Sequence, residues 1–291
     1  MKIAIASGKG GTGKTTVSAS LARVWPQPVT AVDLDVEEPN LHLFLKPDLR
    51  HWEKAHIEIP VVDEGACNYC RACAELCQFK AISILGTVAL VFSDMCHGCG
   101  GCMAICPTNA ISTDQRELGE VSWGSAGEIQ FLMGRLRVGE AMSPPLMRAV
   151  KTRLNRIQEA IPGDVIIDAP PGVSCPAVNA VMDTDAIVLV TEPTPFGLYD
   201  LKLAREAFSS LNIPMGVVIN RAGLGDSGVE NFCSDKALPI LARIPYDPEI
   251  ARTYSQGMVI ADGPTWIKDL FVDLAQTIRQ GAFFSKEVEH A

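Results

Sequence analysis

Two groups of residues in this chain have the types and spacing to do chemistry. The first is the run Gly8, Lys9, Gly10, Gly11, Thr12, Gly13, Lys14, Thr15, Thr16. Gly8, four further residues and then Gly13, Lys14 and Thr15 fit the phosphate-loop pattern, set between a predicted strand and a predicted helix. The glycines let backbone N–H groups wrap phosphate oxygens, Lys14 neutralises charge on the β- and γ-phosphates, and Thr15 can ligate Mg²⁺. Such a loop binds ATP or ADP with Mg²⁺. Lys9 adds a second cation within it. The second group is a cysteine array: Cys67, Cys70, Cys73, Cys77 and then Cys96, Cys99, Cys102, Cys106, two runs of C-x₂-C-x₂-C-x₃-C, the second followed by Pro107. This is the spacing of a two-cluster iron–sulfur site. The first three ligands of each run grip one cubane, and the fourth, on the following helical turn, points to the other. Ligation is therefore expected to cross: Cys67, Cys70, Cys73 and Cys106 around one [4Fe–4S] cluster, and Cys96, Cys99, Cys102 and Cys77 around the second.

The alternatives are less economical. Zinc sites separate their C-x-x-C pairs by a longer loop than is found here, and a [3Fe–4S] form would need a missing ligand. Gln78 stands where proline is usual in the first run, which affects only how the chain leaves the ligand. Cys175 and Cys233 lack a partner at short spacing and read as small buried hydrophobes. His97, between cluster ligands, reads as a tuning or solvated residue, because eight thiolates already complete the site. His51 and His56 are expected in a linker helix or loop, and Glu37 with Glu38 on a solvated face.

The elements that must position these groups follow from hydrophobic patterning. Short apolar runs, "KIAIA", "PVTAVD", "DVIIDAP", "AIVLVTEP", "MGVVINR" and "LPILARIP", alternate with helical patterns. That rhythm predicts an α/β fold with a mainly parallel sheet and helices on both faces. It breaks between residues 58 and 113, where the cysteines lie. There, residues from Cys67 to Ser83 map onto those from Cys96 to Ser112 at a constant offset of 29, so two copies of one unit form a small α+β insert. The expected organisation is a discontinuous nucleotide domain, 1–57 and 114–291, interrupted by an inserted domain at 58–113. After the insert, "GEIQFLMGRLRVGEAM" reads as a Gly-punctuated strand pair, residues 145–160 as a helix, "PTWIKDLFVDLAQTIRQ" as an amphipathic closing helix, and the tail after Gly281 as frayed.

Composition narrows the function further. With 25 Lys and Arg against 34 Asp and Glu, the net charge of −9 opposes attraction to phosphate backbones, so nucleic acid is not an expected partner. No apolar run is long enough to cross a membrane. Met1 leads directly into a strand-like stretch without a signal-peptide pattern, and clustered cysteines suit a reducing compartment, so a cytoplasmic location is expected.

The stretch "KGGTGKTT" resembles the deviant Walker A sequence of the MinD/ParA/Mrp group of ATPases. The resemblance implies that Lys9 reaches the nucleotide of a facing subunit in an ATP-sandwich dimer, formed with a second copy or with a related ATPase. "VDLDVEEPNLHLFL" looks like the group's switch I, with Asp33 orienting the Mg²⁺ shell and Asp35 positioning the attacking water. "VIIDAPPG" looks like Walker B and switch II, with Asp168 holding Mg²⁺ through water and Gly172 meeting the γ-phosphate. Asn220 and Arg221 in "VVINRAG", with Pro245, Tyr246 and Asp247, match the segments on the base side of the nucleotide.

The whole pattern resembles MinD-superfamily ATPases that carry an inserted ferredoxin-like domain with two [4Fe–4S] clusters. Three functions are then in competition: nucleotide-gated electron transfer to a protein partner, assembly of a metallocluster on a client protein, and a MinD-like positioning or recruiting switch whose clusters sense redox state. The C-terminal segment mixes acids with bases, unlike a basic membrane helix, so direct membrane insertion is not expected.

Overall fold

Alternating and continuous apolar runs become the strands of a nine-stranded sheet in the computed structural model, which describes residues 1–26 and 28–281. The expectation for the tail after Gly281 lies outside the described residues. In chain order the elements are β1 (Lys2–Ala6), α1 (Lys14–Val24), β2 (Val29–Asp33), α2 (Leu41–Leu45), β3 (Asp48–Val62), α3 (Ala72–Leu76), β4 (Ile82–Leu85) and β5 (Val88–Val91). There follow α4 (Gly101–Ile105), β6 (Ile111–Ala126), β7 (Ile129–Leu136), α5 (Ser143–Ala160), β8 (Asp164–Asp168) and α6 (Cys175–Val181). The chain continues through β9 (Ala186–Thr191), α7 (Pro195–Ser209), β10 (Met215–Ala222), α8 (Gly228–Asp235), β11 (Ile240–Pro245), α9 (Pro248–Ser255) and α10 (Thr265–Arg279).

The strand order is β11-β10-β9-β1-β8-β2-β7-β6-β3, and every pairing from β11 through β7 is parallel. The six runs expected to be strands are β1, β2, β8, β9, β10 and β11. Both alternating sets of their side chains are buried: Ile3, Ile5, Val188 and Val218 on one side, Ala4, Ile167, Leu189 and Val217 on the other. A parallel sheet apolar on both faces needs cover on both, and the crossover helices supply it. On one side α1 and α10 pack Val17, Leu21, Phe271 and Ile278 into one large cluster, together with Phe131 of β7.

The chain divides into two compact units. The first comprises Met1–Glu53, Val121–Arg135 and the part from Met147 onward; the second comprises Lys54–Glu120 and Leu136–Leu146. The second unit thus reaches beyond residues 58–113 on both sides. The reason is packing: Met142 joins Ile57 and Leu118 in one small cluster, and Arg116 forms a buried ion pair with Glu140. A second cluster, Cys73, Ile82 and Ile84, is closed by the antiparallel β4–β5 pair. The internal repeat persists in the backbone. Tyr69, Arg71 and Lys80 adopt φ of 57°, 66° and 54°, and their counterparts Gly98, Gly100 and Asn109 adopt 63°, 72° and 52°.

Two local expectations are corrected. His51 and His56 lie in β3, a strand, where His51 stacks on Trp123. The stretch read as a strand pair supplies a single strand, β7, whose hairpin partner is β6 across the turn at Gly127 and Glu128. Gly134 is buried within β7 and does not turn it, whereas Gly139, at φ 85°, follows its end. Within the insert, α3 and α4 are one-turn helices that each carry the third cysteine of a run, Cys73 and Cys102, and end just before the fourth, Cys77 and Cys106.

Candidate nucleotide site and cysteine cavities

The phosphate loop occupies the turn between β1 and α1. Gly11 and Gly13 take positive φ, 80° and 96°, which the turn requires. α1 has Gly13 at its N-cap, no capping side chain and no acid in its first turn, so its leading N–H groups are free for an anion. Side-chain space is denied by neighbours: a Cβ on Gly8 would lie 2.1 Å from the carbonyl oxygen of Asp200, and one on Gly13 would lie 2.3 Å from Asn220 Nδ2. The Asn220 amide donates to the Thr12 carbonyl at 2.8 Å and accepts the Arg221 N–H at 2.9 Å, pinning the loop to the end of β10.

Register brings the acids together. Asp33 of β2 and Asp168 of β8 are direct neighbours across the sheet, and Ile5, the penultimate residue of β1, also pairs with Asp168. Both carboxylates are buried. Burial, and then the charge of Asp168, push Asp33 well above the usual carboxylate range; burial also raises Asp168, against the pull of Lys14 and the hydroxyls of Thr15 and Ser18. Asp35 is raised to about 6 by burial and Asp168, with Lys14 opposing. Burial lowers the Lys14 ammonium, and Asp168, Asp35 and Asp33 support it. One buried lysine facing three acids leaves negative charge uncompensated, which is the electrostatic setting of a divalent cation. The Thr12 hydroxyl is buried without a partner. These donors fit Mg²⁺. Gly172, at φ 92°, donates its N–H to the Ser7 carbonyl at 3.0 Å and so ties the segment after β8 to the loop. Lys9 Nζ lies 3.9 Å from Asp200 Oδ2.

Beside the loop opens a cavity of about 770 Å³, a size that suits a nucleotide. Gly11, Gly13, Lys14, Thr15 and Thr16 line its phosphate end, and Asn220, Arg221, Pro245, Tyr246 and Asp247 its far end. Gly8, Lys9, Gly10, Thr12, Asp33, Asp35, Asp168 and Gly172 are not in its lining. The Arg221 guanidinium is turned to Glu192, at 2.7 Å. Asp247 caps α9 by accepting the Glu249 N–H at 2.7 Å. Sequence reasoning missed Leu43 and Phe44 of α2 and Ile250 and Tyr254 of α9, which also line the cavity. No motif marks them; the one available signal was the apolar "LHLFL" following the acids.

The insert encloses two further cavities. One, of about 410 Å³, is lined by Cys77, Cys96, Cys99 and Cys102; the other, narrower, by Cys67, Cys70, Cys73 and Cys106. Each therefore gathers three cysteines of one run and the fourth of the other. Among the described residues no three His, Cys, Asp or Glu side chains converge as they would on a single ion. A cubane differs, because each thiolate binds a separate iron and the four stand apart. Four thiols around each cavity fit that chemistry. Backbone donors reach the sulfurs symmetrically: Tyr69 and Gly98 N–H to Cys67 and Cys96 at 3.4 Å, and Ala81 and Ala110 N–H to Cys77 and Cys106 at 3.3 Å. At the rim of the larger cavity the exposed His97 ring stacks on Phe79, with centroids 3.5 Å apart. Cys233 is buried, and burial pushes its thiol up to about 11. Cys175, expected to be buried, is exposed, because α6 starts at that residue on leaving the loop after β8.

Among the described residues no helix is long and apolar enough to cross a membrane. Comparison with known proteins agrees with the loop and sheet. Residues 3–260 match the CobQ/CobB/MinD/ParA nucleotide binding domain. An uncharacterised protein of Methanocaldococcus jannaschii is 31% identical over 88% of this chain and 90% of its own length. An iron-sulfur cluster carrier protein of Pyrococcus abyssi is 24% identical over 95% of this chain and 85% of its own. In fold, the chain is similar to the cell division ATPase MinD of Pyrococcus furiosus, with a TM-score of 0.59 and 23% identity over 96% of this chain and 98% of that one. A Cyanothece McdA–ATP complex is similar with a TM-score of 0.55 and 17% identity over 99% and 98%. With a strand–glycine loop–helix at the head of a parallel sheet, acids on the neighbouring strands and a family match spanning nearly all of it, this chain belongs to the CobQ/CobB/MinD/ParA family of nucleotide-binding proteins.

Proposed function

We propose that this protein is a Mg²⁺-dependent, dimeric cytoplasmic ATPase with two [4Fe–4S] clusters, and that its nucleotide state controls electron transfer to a protein partner or metallocluster assembly on it. The observation that carries the reading is the pair of cysteine-lined cavities, each drawing its fourth cysteine from the other run, within a unit that the chain enters soon after Asp35 and leaves before Asp168. Of that unit's four chain connections, the first and the last lead to the segments bearing the acids of the nucleotide site. Relatives named iron-sulfur cluster carrier proteins add support for cluster chemistry.

In this reading the N–H groups of Gly10 to Thr16 and the Lys14 ammonium hold the phosphates. Thr15, Asp33 and Asp168 hold Mg²⁺, which supplies charge neutralisation at the phosphates. Asp35 orients the attacking water, Lys9 reaches the nucleotide of the facing subunit, and Gly172 senses the γ-phosphate. Asn220, Arg221 and Pro245 to Asp247 border the base. Cys67, Cys70, Cys73 and Cys106 hold one cluster and Cys96, Cys99, Cys102 and Cys77 the other; the clusters supply one-electron storage. N–H donation to Cys67, Cys77, Cys96 and Cys106 stabilises charge on those sulfurs.

The test is EPR of anaerobically purified, reduced protein with and without ATP and Mg²⁺, together with iron and sulfide analysis. A cubane signal that shifts with nucleotide is expected. A cubane signal indifferent to nucleotide overturns the coupling and leaves a partner-recruiting switch, and a protein that holds zinc in place of iron overturns the cluster reading. Asp35→Ala should abolish hydrolysis while ATP still binds; unchanged turnover removes Asp35 from its role.

A further inference from the structure

We infer that Phe44 and Tyr254 form one wall of the nucleotide cavity and that Asp33 sets its position, which makes Phe44 a positioning residue linking the phosphate end of the site to the base end. The inference rests on the nucleotide-site reading above.

Asp33 divides its carboxylate between two donors. Oδ1 accepts the Asp35 N–H at 3.1 Å and Oδ2 accepts the Leu41 N–H at 2.9 Å. Leu41 opens α2, whose N-cap residue, Asn40, contributes no side-chain hydrogen bond. Asp33 therefore satisfies the first turn in its place. A helix of five residues cannot hold itself. Its position depends on Asp33 at the start, on the burial of Leu41 and Leu45, and on Lys46 in the left-handed region at the end.

Phe44 projects from α2 into the cavity lining, and its ring lies 5.4 Å from that of Tyr254, tilted by 34°. Tyr254 belongs to α9, the helix capped by Asp247, so α9 follows directly on Tyr246 and Asp247 of the base-side loop. A continuous set of contacts thus runs from Asp33 through α2 and the ring pair to the base-side loop. A divalent cation held by Asp33 would compete with the Leu41 N–H for the carboxylate, and would so loosen α2 and the wall that α2 supports. Tyr254 is half-exposed and its hydroxyl has no hydrogen-bond partner among the described residues, so the contact depends on the ring alone.

The test is hydrogen–deuterium exchange at saturating ADP, with and without Mg²⁺, on wild type, Tyr254→Phe, Tyr254→Ala and Phe44→Leu. In wild type and Tyr254→Phe, Mg²⁺ should change exchange in both residues 41–45 and residues 248–255. In Tyr254→Ala and Phe44→Leu the change should remain in 41–45 and disappear from 248–255, with ADP affinity lowered roughly 2- to 10-fold, the range for loss of an aromatic pair. A response in 248–255 that survives both ring-removing variants overturns the wall, as does a wild-type protein that binds ADP without a Mg²⁺ response in 41–45. Wild-type protein that binds no ADP overturns the nucleotide reading itself and this inference with it.

Discussion

Replacing Gly13 with alanine should destabilise the protein through two separable effects. Gly13 sits at φ 96°, where a side chain is strained, at about 1–2 kcal/mol. The new Cβ would also stand 2.3 Å from Asn220 Nδ2, so the amide must swing away and give up its bond to the Thr12 carbonyl, about 1 kcal/mol. Gly13→Ala should therefore cost about 2–3 kcal/mol, and Asn220→Ala alone about 1 kcal/mol. Once Asn220 is absent the clash has no partner, and Gly13→Ala should cost only the strain. The double variant should then be about as stable as Gly13→Ala by itself, with a coupling of about 1 kcal/mol. Urea unfolding of the four proteins, compared at equal denaturant slope, measures this cycle. If the two substitutions add within about 0.3–0.5 kcal/mol, the glycine is not making room for Asn220 and the pinning of the loop to β10 is wrong.

Three further outcomes are expected. If ligation crosses, the double substitution of Cys67 and Cys106 by serine should leave about half the iron of wild type, whereas Cys67 with Cys77 should lose both clusters; equal loss in the two proteins would refute crossing. Gly98→Ala should destabilise the cysteine unit by about 2 kcal/mol from strain and overpacking, since φ is 63° and a Cβ would meet Ile57 Cγ1 at 2.5 Å; chemical denaturation giving wild-type stability would contradict the close approach. In iron-loaded protein at pH 8, one thiol should react rapidly with an alkylating reagent, the exposed Cys175. Cys233 should stay silent, because burial raises its proton affinity to about 11 and keeps it a thiol. That preference for the protonated form should also make Cys233 destabilising only as pH rises above about 8.5, where the unfolded thiol ionises first. Rapid labelling that persists in Cys175→Ser would show the assignment to be mistaken.

Legibility followed the range of the interactions involved. The phosphate loop could be read because strand, glycine turn and helix are neighbours in the chain and each choice of residue answers a local backbone demand. The six continuous apolar runs were readable for a related reason: a parallel strand buried on both faces must be apolar throughout. The cysteine repeat declared itself by its offset, and its backbone turns repeat with it, even where Tyr69 and Arg71 adopt angles that glycine serves in the second copy.

What depended on distant residues was not readable. His51 and His56 lie in an edge strand whose first half, DLRHWEK, is charged and mostly exposed, so β3 was missed. Cys175 was expected inside, but exposure is decided by where a helix happens to begin. Phe44 and Tyr254 stand 210 positions apart and meet because α2 and α9 flank one cavity. The sequence by itself determined the local elements, the chemistry of the loop and the composition of the cysteine array, because each rests on spacing within a few turns of chain. Only the tertiary structure decided that Asp33 and Asp168 lie side by side and that Asn220 holds the loop, because register and crossover connections bring together residues between which no local rule operates.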